Sequence, residues 1–269
     1  MNLTPSLRVL FDSIPLSKLK TLGVIDWGAP VPVFGSLDDS EVATVGLNPS
    51  NREFVNLAGE ELGDLERRFH SLQSLEIEDW NNLDISHLTA IEKSCSEYFS
   101  GNPYDQWFRV LDNIISGTRH SFYNYNRRSA CHLDLIPFAT YEKWGDLAKE
   151  HQHDLMKIST ESFIKTLCNS KLKLLILNGE SVVRLFSDIT NISLEKNEKK
   201  EWQLPRKSGR HVAGYSYRGQ ISKVRDIKLN RSILILGYNH NLQSSFGVTN
   251  SVKRSIRSWV KEKYDEQGI

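Results

Sequence analysis

Two spacings of apolar residues alternate along this chain. Four short, mostly apolar runs stand out, Val42 to Leu47, His132 to Phe138, Leu172 to Leu177 and Ile233 to Gly237. Runs of this length suit strands covered on both faces, where polar and apolar positions have no reason to alternate. Between them the spacing turns helical. Tyr104 to Ile115 carries Trp107, Phe108, Leu111, Ile114 and Ile115 as one stripe, with Gly117 where a helix C-cap is expected. His151 to Cys168 carries Leu155, Ile158, Phe163, Ile164 and Leu167, and a crossover helix using Ser181 to Phe186 is expected after Asn178-Gly179. Val252 to Tyr264 places Val252, Ile256, Trp259 and Val260 on one face, with Thr249 or Asn250 as cap. Helices alternating with buried strands predict an α/β fold on a central, mainly parallel four-stranded sheet flanked by helices.

Three stretches do not join this pattern. The span 52–130 reads as a helical insertion whose acidic part, Gly59 to Glu97, is peripheral to the sheet. The span 205–231 reads as a basic hairpin insertion, with Tyr215-Ser216-Tyr217 and Ile221 to Val224 flanking a turn at Arg218-Gly219-Gln220. Asn191 to Glu201 resembles a solvated linker. Together these give one domain over 1–269.

Composition narrows the class. At 39% hydrophobic and 25% charged the chain is ordinary for a soluble protein. No run reaches the roughly 20 apolar residues of a membrane span, and Met1 to Pro5 lacks a secretory pattern, so a cytoplasmic protein without membrane contact is expected. Cys95, Cys131 and Cys168 lack C-x-x-C spacing and read as reduced, buried thiols. The net charge of +1 hides a segregation: Ser36 to Ser100 holds 14 acidic against 4 basic residues, and Glu201 to Ile269 holds 13 basic against 5 acidic. A basic face for a polyanion is compatible with that asymmetry, as is a solvated surface.

The four runs end on polar residues: Asn48-Pro49-Ser50-Asn51, Asp134 with Pro137-Phe138, Asn178-Gly179, and Tyr238-Asn239-His240-Asn241. Pro49 cannot continue a central strand, so the chain turns at Asn48. Carboxyl ends of strands in an open α/β sheet form the usual ligand crevice. Amides and an imidazole suit recognition of a heterocycle and the holding of a water; a hard metal would want more carboxylates, so no metal is expected. Ser181 lacks the second glycine of a nucleophile elbow and reads as an early helical residue. No dinucleotide or P-loop glycine pattern follows any strand, so no cofactor is expected. Asn48-Pro49 shares a dipeptide with the N-P-P-aromatic motif of amino-methyltransferases, but Ser50 and Asn51 replace the rest. His70, His87, His120, His151, His153 and His211 read as surface residues.

In these motifs the chain resembles the uracil-DNA glycosylase superfamily. Gly46-Leu47-Asn48-Pro49 matches its first motif, Gly-x-Asp/Asn-Pro after a buried strand, and His240-Asn241-Leu242-Gln243-Ser244-Ser245 is similar to its last, His-Pro-Ser-x-Leu-Ser, without the proline. The resemblance spans Val42 to Val260. It implies a three-layer sandwich and a monofunctional glycosylase that flips a modified or mismatched pyrimidine from DNA and leaves an abasic site. By the resemblance, Asn48 holds the water and His240 donates to the departing base; Phe54, Asp134 and Asn178 bind the base, Ser50, Ser244 and Ser245 bind phosphate, and Leu242 fills the gap in the stack. The Asn-Pro branch adds a narrower expectation, glucosylated hydroxymethylcytosine of phage DNA excised in antiviral defence.

That chemistry suits the residue types. Negative charge grows on the leaving base while the sugar gains oxocarbenium character, so a donor at the base and a held water at the sugar share the work. An amide is a poor base, which implies slow turnover or a better leaving group. The basic segment, with Arg218, Lys223 and Arg225 foremost and Tyr215 and Tyr217 interleaved, would track a DNA backbone, duplex or single-stranded. A monomer with no obligate protein partner is expected. The competing class is a non-catalytic nucleic-acid-binding module.

Overall fold

A computed structural model of the chain describes residues 3–12, 16–123, 126–206, 209, 211–243 and 247–268. Two helices, α1 (Thr4–Asp12) and α2 (Leu16–Thr21), precede a two-residue strand β1 (Val33–Phe34) and the first of the sequence-predicted strands, β2 (Val42–Gly46). All five residues of β2 are buried, which is why its run carries no polar alternation. Helices α3 (Ile85–Ser96) and α4 (Asp105–Ile115) lead to the short β3 (His120–Ser121) and to β4 (Arg128–Asp134). Helix α5 (Lys149–Cys168), the fully buried β5 (Leu174–Asn178) and helix α6 (Glu180–Thr190) come next. Then follow β6 (Glu195–Glu198), β7 (Leu204–Pro205), β8 (His211–Val212), β9 (Tyr215–Val224), β10 (Ile227–Tyr238) and helix α7 (Asn250–Asp265), capped by the Thr249 side chain.

Eight strands form one sheet in the order β1-β4-β2-β5-β10-β9-β6, with β3 beside β4; β7 and β8 make a separate two-stranded ribbon. The fold is α/β with a mostly parallel central sheet flanked by helices, as expected, but the sheet has eight strands where the sequence reading counted four. The four counted are β2, β4, β5 and β10. In the parallel part, Val42 pairs with Leu174, and Leu174 with Leu234. The uncounted strands escape pattern reading because β1 and β3 have two residues each and β6 is exposed along its whole length.

The basic segment differs most from expectation. Tyr215–Val224 is one unbroken strand, and Gly219 lies in its middle opposite Ile235. The turn falls at Arg225-Asp226, where Arg225 takes a φ of 51°. Gly219 serves close approach instead: a Cβ there would lie 2.5 Å from the Leu194 side chain. The strand that leaves this turn continues as β10, so the segment extends the sheet. The acidic stretch is helical only over Ile85–Ser96; before it run turns and short 3-10 pieces that bury Phe69, Leu75 and Trp80. Asn191 to Glu201 holds β6 and the fully buried Trp202 follows, so a free linker is ruled out. Gly117 is no left-handed cap either; Arg119 takes that conformation at φ 66°. His120, expected at the surface, is buried in β3. Cys95 and Cys131 are buried free thiols, and Cys168 is half-buried.

The chain divides into two compact units. The first comprises Met1–Asp38, Gly46–Pro103 and His132–Ser170, the second Asp39–Val45, Tyr104–Cys131 and Lys171–Ile269. Within the first, α1 packs on α5, and Thr166 donates to the Ser6 hydroxyl at 3.0 Å. Within the second, α7 lies against α4, and the Trp202 and Trp259 rings meet edge to face at 5.4 Å. No helix among the described residues is long and apolar enough to cross a membrane.

Candidate functional site

In the first unit the chain leaves β2 along the segment that follows β4. Gly46 and Leu47 carbonyls accept from Leu135 and Ile136 N–H, at 3.2 and 2.8 Å. This ladder delivers Asn48 to the loop at Phe138 and Thr140. The Asn48 Nδ2 donates toward the Pro49 carbonyl at 3.2 Å, the Phe138 carbonyl at 3.3 Å and the Thr140 hydroxyl at 3.1 Å. Thr140 donates its own proton to the Glu142 carbonyl, so it can only accept from Asn48. Two carbonyls and an accepting hydroxyl fix the amide with nitrogen inward. The amide oxygen of this half-buried residue takes no hydrogen bond from the described residues, and remains able to receive one.

Asp134 ends β4 and is buried with His132, whose Nε2 stands 3.2 Å from the carboxylate. Burial raises the Asp134 pKa and the imidazole works against that rise. Both side chains press on β2: a Cβ at Gly46 would lie 2.5 Å from Asp134 Oδ1 and 2.8 Å from His132 Nε2. The glycine of the Gly-Leu-Asn-Pro stretch is therefore required by these two neighbours. Ser50 is exposed and accepts from Arg52 N–H at 3.2 Å as the cap of a 3-10 turn.

Phe54, expected to stack on a base, is 3% exposed. Its ring packs edge-on to Trp27 and near Phe69, with centroids at 6.0 and 5.9 Å, and a Cβ on Gly28 would touch it at 2.8 Å. It is an aromatic core residue here, because the turn after Ser50 sends it inward. Beside this cluster lies a group that sequence reasoning passed over. Glu53 is fully buried and its pKa rises to about 7, mainly through loss of solvent, against the opposing pull of Arg68 and the Tyr98 hydroxyl. A single Glu in a polar turn gives no sequence signal of burial.

In the second unit, β5 and β10 end side by side. Gly179 N–H and Glu180 N–H donate to the Tyr238 and Asn239 carbonyls, both at 3.0 Å. Gly179 takes φ 105°, where a Cβ would lie 3.3 Å from Asn241. Asn178 is buried; its Nδ2 donates to Gln243 Oε1 at 2.8 Å, and its Oδ1 accepts from Leu242 N–H at 3.4 Å. Gln243 in turn donates to the Trp107 carbonyl at 3.2 Å. Asn178, expected to read a base, thus anchors the loop after β10. Leu242, expected to fill a gap in DNA, is buried at 3% exposure in that loop. Ser244 and Ser245 lie outside the described residues.

His240 is buried, with Nε2 2.7 Å from the Trp202 carbonyl. A carbonyl only accepts, so Nε2 carries the proton and Nδ1 is the bare nitrogen of the neutral ring. Burial lowers the His240 pKa, Arg206 adds to the lowering, and the Trp202 carbonyl opposes it. Of the three expected phosphate-binding cations, Arg218 faces Glu266 at 3.4 Å and Arg225 Nε donates to the Ile189 carbonyl at the end of α6 at 2.9 Å. Lys223 is exposed on β9. The described residues contain no cluster of three His, Cys, Asp or Glu able to hold a metal ion. No family model matches the chain, and no curated protein matches it.

Proposed function

We propose that the chain is a monofunctional DNA glycosylase that flips a modified or mismatched pyrimidine and hydrolyses its N-glycosidic bond to leave an abasic site. The observation that carries this reading is the locked amide of Asn48, whose nitrogen is committed to protein acceptors while its oxygen can receive a water proton. In the reaction the C1′–N bond breaks with its electron pair leaving on the base, and the water oxygen bonds to C1′. The water's surplus proton ends on solvent or on the base, because an amide does not take it. Asn48 orients, and the sugar must already carry most of its positive charge before attack. That favours bases that leave readily, and modified cytosines such as the glucosylated hydroxymethyl form in phage DNA are the substrate class proposed, with antiviral defence as the setting.

With Nε2 held by Trp202, His240 can donate to the departing base only through Nδ1 of a protonated ring, a form that its burial works against. Loss of such a donor typically costs on the order of a hundredfold in rate. A second reading, a nucleic-acid-binding module without catalysis, is favoured by the commitment of Phe54, Asn178 and Leu242 to internal packing and hydrogen bonds. Duplexes bearing uracil, hypoxanthine, hydroxymethylcytosine or its glucosylated form, treated with protein and then alkali, separate the two. Strand breaks with wild type and at least a hundredfold fewer with Asn48→Ala support the glycosylase. Breaks on none of them, or equal breaks with the variant, sink it.

A further inference from the structure

Three arginines far apart in sequence line one cleft of the second unit. Arg109 comes from α4, Arg127 from the segment before β4 and Arg257 from α7, and Asp112, Asn113 and Ser116 complete an open cleft of about 230 Å³. Gly117 eases the convergence: a Cβ there would lie 3.2 Å from the Arg257 carbonyl and 3.4 Å from its Cγ, so a larger residue would press on α7. We infer that this cleft binds a phosphate group.

The charge balance supports it. Asp105 takes Arg109 through Nε at 3.1 Å and a terminal nitrogen at 2.6 Å, and the guanidinium lies 5.1 Å over the Tyr123 ring, so Arg109 is held in place. Asp112 is the one acid in the lining, and its Oδ1 already receives the Ser121 hydroxyl and the Phe122 N–H, both at 2.8 Å. Arg127 and Arg257 have no carboxylate within salt-bridge distance among the described residues. Like charges gathered on one cleft repel, and a bound anion turns that repulsion into attraction; the planar fork of arginine matches phosphate oxygens two at a time. A second cleft of this unit offers no such surplus, since its lining sets Asp188 and Asp226 beside Lys223 and Arg225. Ser116 donates to the Asn113 carbonyl, which leaves the Asn113 amide as the neutral donor of the cleft.

The phosphate can belong to a nucleic-acid backbone or to a small free molecule, and the inference does not depend on glycosylase activity. The test compares wild type with Arg127→Gln, Arg257→Gln and the double variant, each checked for an unchanged melting profile. One arm follows a fluorescent duplex by anisotropy across a salt series; the other titrates pyrophosphate by calorimetry. Two lost phosphate contacts should flatten the slope of log affinity against log salt by about 2 and weaken duplex binding at least tenfold. A loss confined to pyrophosphate supports the site with a small-molecule occupant, and a loss in the duplex arm supports a backbone one. Arg127 is exposed, so its single variant carries the test if Arg257→Gln does not fold. Unchanged affinity and slope in both arms, or no binding by wild type in either, overturns the inference whether or not abasic sites form.

Discussion

The Tyr98 hydroxyl lies 2.9 and 3.0 Å from the two oxygens of the buried Glu53 carboxylate. With its pKa moved from 4.5 to about 7, this carboxyl binds protons more tightly folded than unfolded. Its contribution is therefore favourable in acid and is lost as pH rises from about 4.5 through 7. The ionised group costs about 3 kcal/mol at ~1.4 kcal/mol per pH unit of displacement. Urea unfolding of wild type and Glu53→Gln at pH 5 and pH 8 checks this. The variant should be more stable than wild type at pH 8 by a margin that shrinks at pH 5; a margin independent of pH refutes the ionisation.

Asn48→Asp should not produce a better catalyst. A carboxylate at this position would set its oxygens against the Pro49 and Phe138 carbonyls, where the amide now donates. Unsatisfied buried acceptors cost about 1–3 kcal/mol. A lower melting temperature at pH 8 than at pH 5, with no gain in abasic-site formation, is expected.

Gly46→Ala should destabilise the first unit by about 1–3 kcal/mol, the usual range for an overpacked interior. The new methyl would meet two polar side chains, Asp134 and His132, that cannot both move aside without losing each other. Asp134→Ala in the same chain should recover part of that loss in chemical denaturation. A tolerated single variant would mean that the pair has room that the structure lacks.

His240 gives the opposite pH dependence to Glu53. Its folded pKa lies below the ordinary 6.5, so the unfolded chain takes the proton first. Stability from this residue is complete above 6.5 and declines as pH falls below it. His240→Gln keeps a donor for the Trp202 carbonyl and removes the titration, so the acid-side loss should shrink. A histidine proton resonance titrating at or above 6.5 for His240 would contradict the assigned burial.

Tyr238 is wholly buried, and its hydroxyl has no hydrogen-bond partner among the described residues. Removing an unpaired buried hydroxyl relieves its desolvation cost, so Tyr238→Phe should raise stability by about 1 kcal/mol. A drop of that size in thermal unfolding would reveal a hydrogen bond for this oxygen.

What the sequence made legible follows its periodicities. Val42 to Leu47 and Leu172 to Leu177 become β2 and β5 within two residues at each end, because runs this short and this apolar suit a strand covered on both faces. The stripe through Phe108, Leu111 and Ile115 likewise becomes the buried face of α4. Glycines misled where their reason was non-local: Gly219 and Gly117 look like turn residues, yet Gly219 stands where Leu194 passes too close for a Cβ and Gly117 where α7 would crowd one. The polar strand ends were found, but not their partners. Asn178 engages Gln243 across 65 positions and Asn48 engages Thr140 across 92, and no local pattern encodes either meeting.

The run Glu195-Lys196-Asn197-Glu198 looked like linker because every side chain in it is charged or polar, and all four are exposed on the strand that borders β9. A flat apolar border would offer its unpaired N–H and C=O groups to any chain passing in extended form. Here an incoming strand would have to lay its residues against alternating carboxylates and an ammonium, and strip their water, to gain a few backbone hydrogen bonds. The same composition that hid this strand from the sequence makes the edge of the sheet a poor template for a further strand.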